Sequence, residues 1–446
     1  MGTGHAVVCG ASFAGLLAAR VLSDAYGSVS VIERDPLTAD ISHRRGVSQG
    51  YHLHQMLSAG VRLLVDLFPG ILDELEAAGA IVMRHPGRPD EFHLGVGDVV
   101  FSKTGRFTRS EDMLICLASR PLLEGIVRER IRAIANVTLV DRHEVAEPVI
   151  DASGLVTGVR IAERDTGRER ILSGDVVVDA TGRAGRIPAF LTARGFPRPD
   201  ERRYDVGLSY SSQLFRLRPG SVAEKVVLDI PTLARPEGIG MMAYEDDTAI
   251  VTVIGLAGRT TPTTLPGLLD SATRFAPARV AAALRAAEPV GRLSVQRYPA
   301  SVWRRYDRLR RFPRNLVVVG DAVCSFNPVY GQGMTSAALQ AVSLRRTLHD
   351  GIDDPGPQFF RTAAAALSPI WWSNRVLDYA IIPPESGPSA LQRVIDAGMD
   401  KVYAAAGADV AVAETVYRQM QLLGRPTDLL RPSMLKRVVA GNRRSG

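Results

Sequence analysis

The sequence predicts an α/β protein that combines a parallel sheet, an inserted and mainly antiparallel second sheet, and a helical C-terminal region. Three observations indicate this fold. A short apolar strand, a glycine-rich turn, a helix and a second strand follow one another at the N-terminus. Two later apolar strands, 176–179 and 316–319, also run into glycine turns. Alternating strands dominate residues 185–290, whereas helical patterns prevail after residue 346. Strands that alternate with helices are typical of a parallel α/β sheet.

The N-terminal unit has the residues that a dinucleotide site requires. The motif Gly10-x-Ser12-x-Ala14-Gly15 joins the strand His5–Cys9 to an apolar helix, and Glu33 ends the next strand 23 positions after Gly10. Gly10 allows a tight turn, Gly15 lets the helix pack closely on the strand, and the helix N-terminus offers free N–H groups to a pyrophosphate. Glu33 can accept hydrogen bonds from a ribose. The alternative is a tight turn that binds no ligand, and Ser12 stands where the usual pattern has glycine.

The remaining elements follow from apolar periodicity and turn residues. One helix is expected over 61–78, and another opens at Ser119 with Pro121 in its first turn. Further strands are expected at 92–94, 99–101, 137–140, 156–162, 226–230 and 250–254. Turns are expected near residues 383–384 and 426, inside the helical C-terminal region.

Composition excludes several classes of protein. The chain has 446 residues, of which 46% are hydrophobic and 23% charged, as in folded soluble proteins. No apolar run reaches the roughly 18 residues that a membrane-spanning helix needs, and no basic stretch precedes the first apolar segment as in a signal peptide. We therefore expect a cytoplasmic protein with no integral membrane segment.

The net charge of +7 comes almost wholly from arginine, because only four of the 54 basic residues are lysine. This bias fits high-GC codon usage, and the arginines are scattered except between 304 and 311. That run is either a solvated surface or an attraction for an anionic cofactor. No nucleic-acid motif is present, so no nucleic-acid partner is expected. Cys9, Cys116 and Cys324 are too few and too far apart for a disulfide framework or a zinc site.

Three separated segments resemble one family. They are the glycine-rich motif with Glu33-Arg34, then Asp179-Ala180-Thr181-Gly182, then Gly320-Asp321-Ala322 followed by Asn327-Pro328-x-x-Gly331-x-Gly333-Met334. Together they are similar to the single-chain FAD-dependent monooxygenases of the aromatic-hydroxylase type, over about residues 5–345. The runs 44–54 and 327–334 resemble the branch that contains bacterial polyether epoxidases related to squalene epoxidase.

The resemblance implies how FAD would be held. Asp321 would bind the ribityl hydroxyls, residues 328–334 would face the pyrimidine edge of the flavin, and Arg120 would lie beside the ribityl chain and phosphates. A purely structural salt bridge is the alternative for Arg120. The implied contacts to FAD are Gly10, Ser12, Ala14, Gly15, Glu33, Arg34, Arg45, Gln49, Arg120, Asp321, Pro328, Gly331, Gly333 and Met334. No catalytic residue is named, because the cofactor carries the difficult chemistry.

One segment departs from the family pattern. The aromatic hydroxylases usually have Asp-Gly and then Ser where this chain has Thr181, Gly182 and Gly185. Asp179 lies two residues too early to replace that acid. NADPH or NADH is the expected electron source, and this departure favours delivery through a separate flavin reductase. The alternative is direct reduction, with NADPH bound by another arginine such as Arg45.

His52 and His54 lie on one side of an extended segment, as metal ligands can, but no third ligand is near in sequence. No metal is expected. Packing near the flavin and a role beside the reaction centre both stay open for this pair. The Trp-x-Trp-x-Ile-Pro signature of flavin halogenases is missing, which argues against halogenation.

These expectations combine into one functional hypothesis. The FAD-binding domain would comprise residues 1–75, 105–185 and 295–345, the substrate-binding β-sheet domain 76–104 and 186–294, and the helical region 346–446. The protein would insert one oxygen atom of O2 into a hydrophobic small molecule through a flavin C4a-hydroperoxide. Apolar segments 208–215 and 241–242 suggest an olefin from polyketide or terpenoid metabolism as the substrate, which would be epoxidised. Aromatic hydroxylation is one alternative. A non-redox cyclase with structural FAD is another.

Overall fold

The computed structural model describes residues 3–38, 43–44, 46–351 and 353–445. Twelve α-helices lie within these ranges: α1 (Phe13–Leu22), α2 (Ser58–Leu67), α3 (Ile71–Ala77), α4 (Arg120–Arg132), α5 (Ile187–Ala193), α6 (Leu265–Phe275), α7 (Ala278–Arg285), α8 (Gly333–His349), α9 (Pro355–Ile381), α10 (Ala390–Ala408), α11 (Val410–Met420) and α12 (Pro432–Ser445).

The same part of the chain contains eighteen β-strands. They are β1 (His5–Cys9), β2 (Ser28–Ile32), β3 (Ile81–Arg84), β4 (Phe92–Val96), β5 (Val99–Val100), β6 (Leu114–Leu117), β7 (Val137–Val140), β8 (His143–Ile150), β9 (Val156–Glu163), β10 (Glu169–Ser173), β11 (Val176–Asp179), β12 (Glu201–Arg216), β13 (Val226–Ile230), β14 (Glu237–Ala243), β15 (Thr248–Gly255), β16 (Glu288–Arg304), β17 (Leu316–Val318) and β18 (Cys324–Ser325).

Five parallel strands form the nucleotide-binding sheet, in the order β17-β11-β1-β2-β7. Their side chains are almost completely buried in the centre of the sheet, where Val7 and Val8 have no exposed surface. Parallel strands buried on both faces are continuous apolar runs in the sequence, which is why these strands could be predicted from it. Because the strands are parallel, their carboxyl ends share one edge, and the glycine-rich turn, Glu33 and Gly320 all follow strands at that edge.

The second sheet has eight strands in the order β18-β16-β12-β15-β14-β13-β4-β5 and is antiparallel except for the β13–β4 pair. Helices α6 and α7 cover one face of it, and their Leu268 and Leu284 pack with Phe215 and Met241. These two helices interrupt a region in which alternating strands were predicted to dominate. Three-stranded β10-β9-β8 and two-stranded β3-β6 complete the sheets of the described ranges.

One helix expected over 61–78 is instead two. Helix α2 ends at Leu67 and α3 begins at Ile71, with Pro69 and Gly70 between them. Gly70 has a φ of 82°, in the left-handed region that ends helices, so the apolar periodicity continues across a real break.

The C-terminal helices pack on both sheets. Helix α9 lies against α8 and β17, whereas Val402 of α10 and Tyr417 of α11 join the core beneath Phe92 of the large sheet. None of the helices in the described ranges is long and apolar enough to cross a membrane. The predicted α/β fold class, with its parallel sheet, inserted sheet and helical C-terminal region, is confirmed. The domain boundaries stay a prediction, and β16 runs through the expected boundary at residue 294.

Candidate functional site

In the glycine-rich turn that connects β1 to α1, backbone atoms approach so closely that Gly10 and Gly15 leave no room for a side chain. Gly10 has a φ of 105°, and a Cβ added to Gly15 would lie 1.8 Å from the Gly10 carbonyl oxygen. Gly320, at the end of β17, approaches so closely that an added Cβ would lie 2.7 Å from the Ala14 Cβ. Side chains larger than hydrogen are therefore excluded at Gly15 and Gly320, where α1 lies against the ends of β1 and β17. The N-terminus of α1, with Ser12 as its N-cap, opens beside this contact.

Glu33 is fixed at the end of β2 by the main chain. Its two carboxylate oxygens accept hydrogen bonds from Ala11 N (2.8 Å) and Asp35 N (3.0 Å), and Arg44 forms an ion pair with it at 3.2 Å. The side chain is only 7% exposed. A carboxylate has about four acceptor positions, so Glu33 keeps capacity for a ribose hydroxyl.

A buried network of charged side chains lies next to the turn. Arg120, the first residue of α4, donates from Nε and Nη2 to Glu124 (3.0 Å each) and from Nη2 to Ser12 Oγ (3.3 Å). Arg44 donates to the Ala11 carbonyl oxygen at 3.1 Å and pairs with Glu124. Arg120 therefore forms the structural salt bridge considered as its alternative, and it also touches the predicted phosphate-binding turn.

Sequence reasoning missed Arg44 and Glu124. The four-residue spacing between Arg120 and Glu124 on one helix was the available signal for the second of them. Nothing local pointed to Arg44, which reaches both glutamates across the fold.

Asp321 follows β17 in a short 3-10 turn, Gly320–Ala322, and is half-buried. Its carboxylate accepts no hydrogen bond from the described residues, although Gly320 N next to it is held by Gln340 Oε1 at 2.8 Å. Burial raises the pKa of Asp321, while the positive charges of Arg120 and Arg183 lower it. A half-buried carboxylate that accepts no hydrogen bond from the described residues is free to accept one from a ligand.

The segment after β18 forms a loop that ends in α8. Asn327 caps a 3-10 turn at Pro328–Tyr330, Gly331 has a φ of 64°, and Gly333 begins the helix. A Cβ added to Gly333 would meet nothing within 4 Å, so space is open at this helix N-terminus. Pro328 is exposed, whereas Met334 is 5% exposed and packs in the core. Free N–H groups and the helix dipole favour negative charge at such a position.

Of the three other residues expected to contact FAD, the structure describes Arg34 and Gln49. Arg34 is exposed at the end of β2, and its carbonyl oxygen accepts from Arg164. Gln49 is half-buried in a 3-10 turn at Ser48–Tyr51. Arg45 lies outside the described residues.

Asp179 has a partner inside its own turn. Its Oδ1 accepts from Thr181 N (3.2 Å) and Thr181 Oγ1 (2.6 Å), and the side chain is 4% exposed. Burial raises its pKa. A Cβ added to Gly185 would lie 2.9 Å from Thr181 Oγ1, so the threonine occupies space that a serine at 185 would need. The departures at 181 and 185 therefore belong together.

His52 and His54 connect this region to the large sheet. His52 Nδ1 lies 2.8 Å from Ser212 Oγ, and the Tyr244 hydroxyl contacts both the N–H and the carbonyl oxygen of His54. Burial lowers the pKa of His52 to about 4 and that of His54 to about 3, so both rings are neutral near pH 7. No group of three or more His, Cys, Asp or Glu side chains in the described ranges could hold a metal ion.

The large sheet places aromatic and apolar side chains opposite Asp321. The ring of Tyr210 meets His52 edge-on at 4.4 Å, and Arg183 lies over the ring of Tyr298 at 4.1 Å. Burial raises the pKa of both tyrosines, and the nearby Asp321 raises it further while Arg183 lowers it, so these charges lie close to the two rings. Apolar residues of β12, of β15 and the position after it, of the loop and of the end of α9 surround the two rings: Val206, Leu208, Ile254, Leu256, Val329, Ile381 and Ile382.

Most of the two apolar segments that suggested a hydrophobic substrate, 208–215 and 241–242, lies away from the region opposite Asp321. Met241 packs beneath α6 and α7, and Met242 packs against the C-terminal helices. Both are core residues, as is Phe215. Only the 208–210 part of the first segment faces the region opposite Asp321.

The residues present fit an extended dinucleotide such as FAD. The α1 N-terminus lies beside the glycine-rich turn, an acid is fixed at the end of β2, a carboxylate without a donor among the described residues follows β17, and a second helix N-terminus lies beyond it. The first three positions follow strands of the parallel sheet, at the same edge.

Three solved structures are similar in fold to this chain. PqsL of Pseudomonas aeruginosa, described as a probable FAD-dependent monooxygenase, is 18% identical, with a TM-score of 0.60 over 88% of this chain and 97% of its own. CmlS, a flavin-dependent halogenase, is 15% identical, with a TM-score of 0.66 over 97% and 78%. PyrE3, a Diels-Alderase of pyrroindomycin biosynthesis, is 16% identical, with a TM-score of 0.62 over 95% and 81%.

Sequence comparison identifies a much closer relationship. No family model matches the chain. Protein Rv3254 of Mycobacterium tuberculosis is 39% identical over 450 residues, which cover 99% of this chain and 94% of that protein. The chain has the fold of the FAD-dependent monooxygenases, and it belongs to the same protein family as Rv3254.

Proposed function

We propose that the protein is an FAD-dependent monooxygenase. The observation that carries this proposal is the Asp321 carboxylate, which is half-buried, lacks a donor in the described chain, and lies beside the glycine-rich turn that Gly320 contacts. A ribityl hydroxyl would supply the missing donor. Bound FAD, once reduced, would supply the activation of O2, with one oxygen atom entering the substrate and the other leaving as water.

Each cofactor-binding residue has a separate task in this proposal. The turn from Gly10 to Gly15 and the α1 N-terminus would bind the pyrophosphate, while Glu33 would bind the adenosine ribose. The N-terminus of α8 at Gly333 would stabilise negative charge on the reduced ring. Arg120 would hold the turn through Ser12, with Glu124 keeping its guanidinium in place.

The substrate would occupy the region between Asp321 and the large sheet. The apolar side chains around Tyr210 and Tyr298 lie in this region together with Arg183 and His52, which suits a largely hydrophobic small molecule. Epoxidation of a polyketide or terpenoid olefin, as in the polyether and squalene epoxidase branch, is the first candidate. No acid–base pair is needed for that transfer.

Aromatic hydroxylation is a second candidate, and Arg183 favours it. The guanidinium forms no hydrogen bond or ion pair within the described residues, yet it lies over Tyr298 near Asp321. A cation there would stabilise a phenolate, which is a more electron-rich carbon nucleophile than the phenol. Identifying the reaction product decides between epoxidation and aromatic hydroxylation.

The electron source is NADPH or NADH in this proposal, with a separate flavin reductase as the route that the Thr181 and Gly185 departure favours.

The absence of a membrane-spanning helix in the described ranges is compatible with the cytoplasm, which we propose as the location.

The decisive experiment measures cofactor, oxygen and product together. We expect purified protein to be yellow, to release intact FAD on denaturation, and to consume O2 with a chemically reduced flavin and extracts from the producing cells. Mass spectrometry should then find a product one oxygen atom heavier than its precursor. Absence of flavin after incubation with FAD would refute the cofactor assignment. A cyclised product formed without O2 consumption would establish the non-redox cyclase instead.

A further inference from the structure

The loop between β18 and α8 is held from behind by two polar side chains of α9. Asp378 Oδ1 accepts hydrogen bonds from Asn327 Nδ2 and from the Tyr330 hydroxyl, each at 2.8 Å. One turn earlier, Asn374 Nδ2 donates to Gln332 Oε1 at 2.5 Å. Residues at the beginning, middle and end of the loop 327–332 are therefore hydrogen-bonded to one helix.

Both α9 side chains also have a buried oxygen without a partner. Asp378 is 5% exposed and Asn374 is 4% exposed, and neither Asp378 Oδ2 nor Asn374 Oδ1 has a donor among the described residues. Residues four apart on a helix are neighbours on one face. A buried acceptor without a donor is unfavourable, and a proton on Asp378 Oδ2 that is donated to Asn374 Oδ1 would satisfy both oxygens.

Among the described residues, no cationic side chain forms an ion pair with Asp378 or contributes to its pKa shift. The side chains that act on it are Asn327 and Tyr330, with Tyr403 of α10 behind Tyr330. Helix α8 carries no titratable residue before Arg345, and β17 carries none. Arg375, on α9 itself, lies instead over the rings of Tyr204, Trp372 and Tyr379. An anion at Asp378 would be buried with hydrogen bonds to one oxygen only, and burial raises its pKa.

We propose that Asp378 is a positioning residue for the loop 327–332, and that it acts as an uncharged carboxylic acid whose Oδ2 proton is donated to Asn374 Oδ1. The proposal rests on the proposed function, because that loop would face the flavin. Asp378 touches neither cofactor nor substrate. It would act through Asn327 and Tyr330, by keeping the loop N–H groups and the α8 N-terminus in the geometry that stabilises reduced flavin.

Infrared spectroscopy tests the protonation state without any cofactor. The difference spectrum between wild type and Asp378→Asn at pH 7 should contain the carbonyl band of a protonated carboxylic acid. A carboxylate band in its place would overturn the proposal, and it would mean that Asn374 and Gln332 are both rotated so that an amide donates to a charged Asp378. This result does not depend on whether the protein binds FAD, so it separates failure here from failure of the proposed function.

Flavin affinity and midpoint potential test the positioning role. Asp378→Asn can keep every hydrogen bond of the neutral acid, so FAD should bind within about twofold of wild type and the potential should not change. Asp378→Ala should weaken FAD binding by about tenfold or more and lower the potential, since the loosened loop stabilises reduced flavin less. Glu414→Ala is the matched control, because Glu414 is a buried carboxylate of α11 that contacts Thr108 and Arg109 rather than the loop.

Two outcomes would contradict the positioning role. One is an Asp378→Asn protein as impaired as Asp378→Ala. The other is an Asp378→Ala protein that loses stability but binds FAD with the wild-type potential, as the Glu414→Ala control should. If Asp378→Ala does not fold, Tyr330→Phe removes one hydrogen bond to the same carboxyl and should lower the potential in the same direction.

Discussion

Among the single side chains of the site, Asp179 and Asp321 show how similar local sequence leads to different tasks. Asp179 ends β11 and Asp321 follows β17, and burial raises the pKa of both. Asp179 Oδ1 accepts hydrogen bonds from Thr181 in its own turn, while its buried Oδ2 has no partner among the described residues. Neither oxygen of the half-buried Asp321 accepts a hydrogen bond from the described residues, so Asp321 has more capacity for a ligand.

Replacing Asp321 by Ala should therefore weaken FAD binding by about 1.5–3 kcal/mol, which is roughly tenfold to over a hundredfold. Asp179→Ala should weaken FAD binding less and lower the stability more, because it removes hydrogen bonds within a turn rather than a contact to the ligand. Titration of the apoprotein with FAD, followed by flavin fluorescence, measures both losses. Equal losses of affinity at the two positions would contradict the distinction.

Buried histidine makes the protein sensitive to acid. His93 on β4 is 7% exposed, its Nδ1 has no partner in the described ranges, and burial lowers its pKa to about 4. An unfolded chain binds a proton at this residue below about pH 6.5, whereas the folded chain does so only near pH 4. The free energy of unfolding should thus fall as the pH drops from about 6.5 to 4, by at most about 1.4 kcal/mol per pH unit for one histidine.

His93→Leu should reduce the difference in unfolding free energy between pH 7 and pH 5. Urea titrations of wild type and variant at the two pH values measure it. His349→Leu, at the exposed end of α8, is the control and should leave the difference unchanged. An unaltered difference in the His93 variant would show that this histidine is not a source of the acid sensitivity.

At the scale of elements, the site depends on the contact between a helix and the strand that precedes it. Helix α1 approaches β1 and β17 so closely that Gly15 and Gly320 tolerate no side chain. The same closeness brings the α1 N-terminus to the edge where Glu33 and Asp321 lie. Helix α9 positions the loop after β18 in a similar way, because Asn374 and Asp378 form hydrogen bonds with that loop, which leads into α8.

Gly15→Val should abolish FAD binding and lower stability, because its side chain would overlap the Gly10 carbonyl oxygen and separate α1 from β1. Gly398→Val is the matched control, since an added Cβ at that position of α10 meets nothing within 4 Å. Thermal unfolding and FAD retention after gel filtration measure the two effects. A Gly15→Val protein that stays folded and yellow would refute the proposed phosphate site.

At the scale of the whole molecule, the proposed function divides into flavin reduction and substrate oxygenation, two half-reactions that can use different surfaces. Oxygenation would take place between the parallel sheet and the large sheet, where Tyr210, Tyr298 and Arg183 lie. Reduction requires a nicotinamide to approach the flavin transiently. The segment with that task in the aromatic hydroxylases is altered at Thr181 and Gly185, so the two half-reactions need not share one protein.

NADPH alone should therefore reduce the bound flavin slowly, even with substrate present. Anaerobic stopped-flow mixing, followed at the flavin absorbance band, measures this rate directly. Adding an unrelated flavin reductase, or reducing the flavin chemically, should restore oxygen transfer. Bleaching by NADPH at about 10 per second or faster would contradict the external reductase and identify a self-sufficient monooxygenase.

Local sequence alone was enough to predict the parallel sheet and the part of the site that follows its strands. Buried parallel strands are continuous apolar runs, and the turns after them need glycine for steric reasons, so Gly10, Gly15 and Gly320 were recognisable without a structure. The acids Glu33 and Asp321 stand directly after such strands. Their shared edge follows from strand direction, which the βαβ pattern already specifies.

Only the tertiary structure decided which distant side chains meet. Arg44 reaches Glu33 and Glu124, Arg183 lies over Tyr298, and Asp378 binds Asn327, in each case across many residues of chain. Apolar periodicity also could not tell core from substrate wall, and Met241 and Met242 proved to be core. The physical reason is that periodicity reports which face of an element is buried, whereas the partner on that face is chosen by how all the elements pack together.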